Sequence, residues 1–82
     1  MTREQITEEI LEVMAKYSEH PGSDLLAAAS LEELVDSMAR IEIIFEIEDK
    51  YDVEIGDDEV LGIRTVADIV SCVERRLASA AG

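Results

Sequence analysis

The chain has one cysteine, one proline, no tryptophan, only 7 lysines and arginines, and no long apolar run. Each shortage excludes something. Cys72 alone closes no internal disulfide and offers no paired-thiol metal spacing such as C-x-x-C. The start at Met1 lacks a basic region followed by an apolar stretch, and nothing approaches the roughly 20 apolar residues that span a bilayer. A cytoplasmic protein without membrane insertion is the expectation. With one Pro and four Gly there is little material for long irregular segments. The 7 basic residues face 20 acidic ones, for a formal charge of -13. Such a field repels nucleic-acid phosphate and anionic lipid and attracts proteins with basic docking patches, more weakly as salt rises. Acidity that serves solubility alone is the plainer reading of the same number.

What is present is enough for one small domain, taken as residues 1–82, with 48% apolar residues to form a core. From Thr2 to Tyr17, Ile6, Ile10, Val13, Met14 and Tyr17 recur at helical spacing, and Thr2 with Gln5 fits a capping box. His20-Pro21-Gly22-Ser23-Asp24 reads as a stop and a loop. Leu25 to Val35 reads as a long connection holding a helical turn, with Ser30 and Glu33 as a second capping box. Asp36 caps a helix from Ser37 to about Lys50, which contains no Gly or Pro. A connector from Tyr51 to Gly56 leads to one or two acidic turns from Asp57 to Leu61. Thr65 with Asp68 caps the last helix, on which Val66, Ile69, Val70, Val73 and Leu77 keep the period, and Arg75 and Arg76 suit its C-terminal end. A flexible tail is expected at about 78–82. The fold class is all-α: a small four-helix bundle with a long loop between helices 1 and 2 and a short third helix.

On the helix from Ser37, about 100° per residue sets Ile43, Ile44, Ile47 and Tyr51 in one stripe and Met38, Ile41 and Phe45 in another, roughly 140° away. One stripe suffices for packing, so the second either lies under a loop or stays exposed to a partner. Glu42 and Asp49 edge it on one side and Glu48 on the other, which suits a partner apolar at the centre and basic at the rim. Arg40 falls near the first stripe, where it must snorkel its charge to water.

The run Val35-Asp36-Ser37-Met38, then Glu42, Ile43, Ile47-Glu48 and Tyr51-Asp52-Val53-Glu54-Ile55, closely resembles the Asp-Ser-Leu motif and recognition helix of acyl carrier proteins. Asp57 to Val60 and Ile63 to Ile69 resemble the family's third helix and the start of its last, so the likeness spans about residues 29–73. The resemblance implies a carrier and not an enzyme, with 4'-phosphopantetheine from coenzyme A attached to Ser37 and Asp36 beside it in the cofactor site. It implies a phosphopantetheinyl transferase and acyl-loading and acyl-processing enzymes as partners, met by Met38, Ile41, Glu42, Phe45, Glu48 and Asp49. Ile43, Ile47, Tyr51, Ile69 and Val73 would face the core and border any acyl cavity. Fatty acid, polyketide or related acyl biosynthesis is the implied setting, and a free-standing monomer the expected state. Two positions depart from the family: Leu34 stands where Gly is usual and bears on the loop before Ser37, and Met38 stands where Leu is usual.

Three other readings compete. An EF-hand needs oxygen ligands at positions 1, 3, 5 and 12 and Gly at 6, whereas starting at Asp52 puts Gly56 at position 5 and Asp57 at 6. An acidic helical interaction module with no prosthetic group predicts that Ser37→Ala keeps full function. A hydrolase or transferase would have to use His20, in a Pro-Gly turn, or Cys72, at a position that suits a small buried hydrophobe.

Overall fold

Helix α1, Arg3–Ala15, begins where the Thr2 hydroxyl accepts from the Gln5 N–H at 3.1 Å and the Gln5 side chain accepts from the Thr2 N–H at 2.8 Å. This reciprocal capping box is the one its sequence announces. The computed structural model describes residues 1–81. Four more helices follow: α2 Gly22–Ala27, α3 Ser37–Tyr51, α4 Asp57–Gly62 and α5 Val66–Ala81. A single 3-10 turn, Leu31–Glu33, lies between α2 and α3, and no strand occurs among the described residues.

The chain is therefore all-helical, and the four expected helices stand in the expected order. The long connection holds a fifth. Gly22, Ser23 and Asp24, read as loop, form the first turn of α2, with the Pro21 carbonyl accepting from Asp24 and Leu25 N–H at 3.0 and 3.1 Å. Burial of Leu25, 1% exposed, gives this short segment the tertiary contact that a six-residue helix needs. The capping box assigned to Ser30 and Glu33 does not form: no Ser30 side-chain bond caps the turn, and the Ser30 backbone carbonyl takes the Glu33 N–H at 3.3 Å.

The core is drawn from α1 (Ile6, Ile10, Val13, Met14), α3 (Ile43, Ile44, Ile47) and α5 (Val66, Ile69, Val70, Cys72, Val73), closed by Leu25, Leu31, Val35 and Ile55. Helix α4 buries no side chain. It is tied to α5 by Glu59, which pairs with Arg76 and with Arg75 at 3.7 Å and accepts from the Cys72 thiol at 3.0 Å. Arg75 and Arg76 thus do not serve the end of α5, which runs on to Ala81 with no basic residue in its last turn. The stretch expected to be a flexible tail is helical as far as Ala81, and Gly82 lies outside the described residues.

Two hydroxyls fasten α1 and the turn after it to α3. Tyr51 donates to Glu9 at 2.7 Å, and Tyr17 donates to Glu46, which also pairs with Lys16 at 3.1 Å. The bond to Glu46 raises the Tyr17 pKa to about 12 and lowers that of Glu46. Helix α3 closes on Asp52 in the left-handed region, φ 53°, a conformation that Asp tolerates better than most residues.

Candidate functional site

Asp36 has extended backbone angles, φ -72° and ψ 169°, so its carboxylate reaches forward over the first turn of α3. Its Oδ1 accepts from the Ala39 N–H at 2.8 Å, and its carbonyl accepts from the Arg40 N–H at 3.0 Å. The next residue, Ser37, is then the first helical position, exposed to solvent. The N–H groups of Ser37 and Met38 have no acceptor within the helix, and with the aligned peptide dipoles they favour an anion beside the Ser37 hydroxyl. An exposed hydroxyl next to unpaired donors fits a phosphodiester, and Asp36 contributes by fixing the turn.

The loop before Asp36 accommodates Leu34 without strain. Leu34 lies at φ -111° and ψ -20°, a conformation open to any L-residue, so no glycine is required there. Its side chain packs against the core while Leu31 and Val35 are fully buried on either side.

The two stripes of α3 part as the wheel divides them. Ile43, Ile44 and Ile47 are buried, whereas Met38, Ile41 and Phe45 are 70%, 47% and 63% exposed. Of the two places open to the second stripe, under a loop or exposed, it takes the exposed one. Glu42 and Asp49 are exposed along the edge, while Glu48 is half-buried and its Oε2 accepts from the Ile55 N–H at 2.9 Å. Glu48 therefore also holds the connector after α3. Leu61 on α4, 83% exposed, was not singled out by the sequence. Its signal was there: in a two-turn helix adjacent residues cannot both turn inward, and Val60 is the one that packs.

Beneath the exposed stripe lies an apolar cavity of about 40 Å³, lined by Met14, Leu31, Arg40, Ile41, Ile43, Ile44, Val60, Ile63 and Ile69. Of the residues expected to border such a cavity, Ile43 and Ile69 do. Ile47 and Val73 are sealed in the core at 0% exposure, and Tyr51 is turned to Glu9. Arg40 snorkels as its place on the wheel requires, with its guanidinium 3.3 Å from Glu32.

The residues that rival readings would use are placed elsewhere. Cys72 is buried with its thiol on Glu59, and His20 is exposed in the turn after α1. No group of three or more His, Cys, Asp or Glu suited to a metal ion occurs among the described residues. No described helix is long and apolar enough to cross a membrane.

Residues 8–73 match the family model described as the phosphopantetheine attachment site. The chain is 30% identical over 79 residues to an acyl carrier protein of Exiguobacterium sibiricum, covering 94% of this chain and all of that one. It is 32% identical over 77 residues to the meromycolate extension acyl carrier protein of Mycobacterium tuberculosis, covering 92% of this chain and 67% of the other. In fold it is similar to an acyl carrier protein from Enterococcus faecalis, with a TM-score of 0.75 over 93% of this chain and 99% of that one, at 22% identity.

Proposed function

The chain belongs to the acyl carrier protein family, whose members are carriers and not enzymes, and on that premise we propose that Ser37 is the residue that bears its prosthetic group. The group is 4'-phosphopantetheine, attached covalently, and its terminal thiol supplies the place where acyl cargo is held as a thioester. The observation that carries the assignment to Ser37 is its position: the first residue of α3, exposed, directly after the Asp36 cap.

Attachment requires only an accessible oxygen from this chain. The Ser37 Oγ attacks the phosphorus of coenzyme A that bears the pantetheine, forming a phosphodiester. The bond to adenosine 3',5'-bisphosphate breaks, and that group leaves with the electron pair. The serine proton passes to a base of the transferase, which accounts for a serine lacking its own His or Lys partner. The Ser37 and Met38 N–H groups and the dipole of α3 stabilise the new anion.

Met38, Ile41 and Phe45 form the apolar centre, and Glu42, Asp49 and the free oxygen of Glu48 the acidic rim, of the surface that meets the transferase and the acyl-handling enzymes. The net charge of -13 draws basic docking patches toward it. The cargo belongs to fatty acid, polyketide or related acyl biosynthesis, in the cytoplasm.

The test is intact mass after incubation with coenzyme A and a broad-specificity phosphopantetheinyl transferase, for the native chain and Ser37→Ala. Gain of one phosphopantetheine group in the native chain alone is expected. Gain in both, or in neither with an active transferase, overturns the assignment.

A further inference from the structure

Four of the 7 lysines and arginines pair with carboxylates of the bundle: Arg3 with Glu74, Lys16 with Glu46, and Arg75 and Arg76 with Glu59. Arg64 and Lys50 make no ion pair among the described residues, and Arg40 meets only Glu32, at 3.3 Å, whose side chain is 74% exposed. An ion pair so open to water is weak, and a better acceptor displaces it.

Arg40 and Arg64 line one groove, with Glu32, Ser30, Leu61 and Ile63 among its walls. The groove adjoins the apolar cavity, and Arg40 and Ile63 line both. Arg64 is fixed at its backbone, where its carbonyl accepts from the Leu31 N–H at 2.7 Å and its N–H donates to Asp68 at 3.0 Å. Arg40 stands three residues after Ser37 on α3, on the same face as the attachment point. Two arginines in its lining, a small apolar cavity beside it, and apolar walls from Leu61 and Ile63 match an acyl group that ends in an anion better than a plain hydrocarbon chain.

We infer that the groove between Arg40 and Arg64 binds a carboxylate on the cargo, so that the chain prefers half-thioesters of dicarboxylic acids. The inference rests on the reading that Ser37 bears the arm. The anion that both arginines favour has two sources, the phosphodiester of the arm and the cargo carboxylate. Only the second lies at the far end of the arm, and only the second changes with the cargo.

The test loads the full chain with a transferase and the matching coenzyme A derivatives to give unacylated, butyryl and succinyl forms. The last two have equal chain length, and a methyl group in one replaces a carboxylate in the other. Intact mass comes first, and failure to gain any arm overturns the Ser37 reading and this one together. With loading established, nitrogen-15 NMR of the arginine Nε–H groups is expected to show Arg40 and Arg64 signals that move in the succinyl form and not in the butyryl form. The succinyl form should also melt about 4 °C higher, and the double variant Arg40→Gln, Arg64→Gln should lose that gap. Identical arginine spectra for the butyryl and succinyl forms overturn the inference while leaving Ser37 as the attachment site. Full movement already in the unacylated form assigns the anion to the phosphodiester and equally overturns it. The wild-type spectra decide the matter even where the double variant fails to fold.

Discussion

The Leu31 N–H donates to the Arg64 carbonyl at 2.7 Å, joining the turn before Ser37 to the turn before α5 across 33 positions of sequence. Leu31 is also buried, 2% exposed, so the approach to Ser37, the proposed attachment residue, is held by a backbone bond and an apolar anchor at once. Leu31→Ala is expected to cost about 2–5 kcal/mol, the range for a truncated buried leucine, read by urea denaturation. A loss below about 1 kcal/mol would show that this loop is not anchored through the core.

Asp36 acts on the first turn of α3 through its bond to Ala39. Asp36→Ala should lower stability by about 0.5–2 kcal/mol, and Asp36→Asn, which keeps a capping oxygen, by less. If the cap is also what presents Ser37, phosphopantetheine transfer should slow in the Ala variant more than in the Asn variant. Equal transfer rates would separate the cap from the presentation of the serine.

Helix α4 is fastened chiefly by one polar side chain. Glu59 gathers Arg75, Arg76 and the Cys72 thiol of α5, while α4 fully buries no residue and only Val60 packs partly against the core. In Glu59→Ala, amide hydrogen exchange should accelerate in Asp57–Gly62, with local opening easier by about 1 kcal/mol, and change little in α1. Uniform acceleration across all helices would instead mean that α4 opens only with the whole bundle.

Stability should fall away at both ends of the pH scale for separate reasons. The backbone N–H of Arg64 and that of Thr65 lower the Asp68 pKa, so its contribution is full above its unfolded value near 4 and is lost as pH falls through the folded one. The Tyr17 phenol, raised to about 12 by its bond to Glu46, stabilises fully below its unfolded value near 10, and that stabilisation is lost between about 10 and 12. Thermal melts should therefore show wild type losing more than Asp68→Ala in acid and more than Tyr17→Phe in base. Because self-repulsion at charge -13 is shared by wild type and Tyr17→Phe and is only one charge smaller in Asp68→Ala, the differences between the proteins are the readout. Parallel curves above pH 10 would show that the Tyr17 bond to Glu46 contributes nothing.

The exposed stripe should matter to partners and not to folding. Phe45→Ala and Met38→Ala are expected to leave stability within about 0.5 kcal/mol and to raise the KM of the transferase several-fold. Glu42→Gln should flatten the salt dependence of that KM. A stability loss of the size seen for core truncations would return Phe45 to the interior.

Local rules account for what the sequence determined by itself. Thr2 with Gln5, Asp36 with Ala39, and Thr65 with Asp68 are caps that act within four residues, and the periods of α1, α3 and α5 follow from helix geometry alone. The candidate serine and the division of α3 into two stripes were legible for the same reason. Tertiary structure decided what depends on residues far apart. Which stripe faces water was settled by what α1 and α5 bring against Ile43 and Ile47. Gly22–Ala27 is helical because Leu25 finds the core, although its Pro-Gly start reads as a turn. Arg75 and Arg76 turn to Glu59 and not to the end of their own helix, because α4 lies alongside. Arg40 and Arg64 share a groove where the turn that leads into α3 is bonded to the turn before α5, and side-chain spacing within one helix carries no record of a bond between loops.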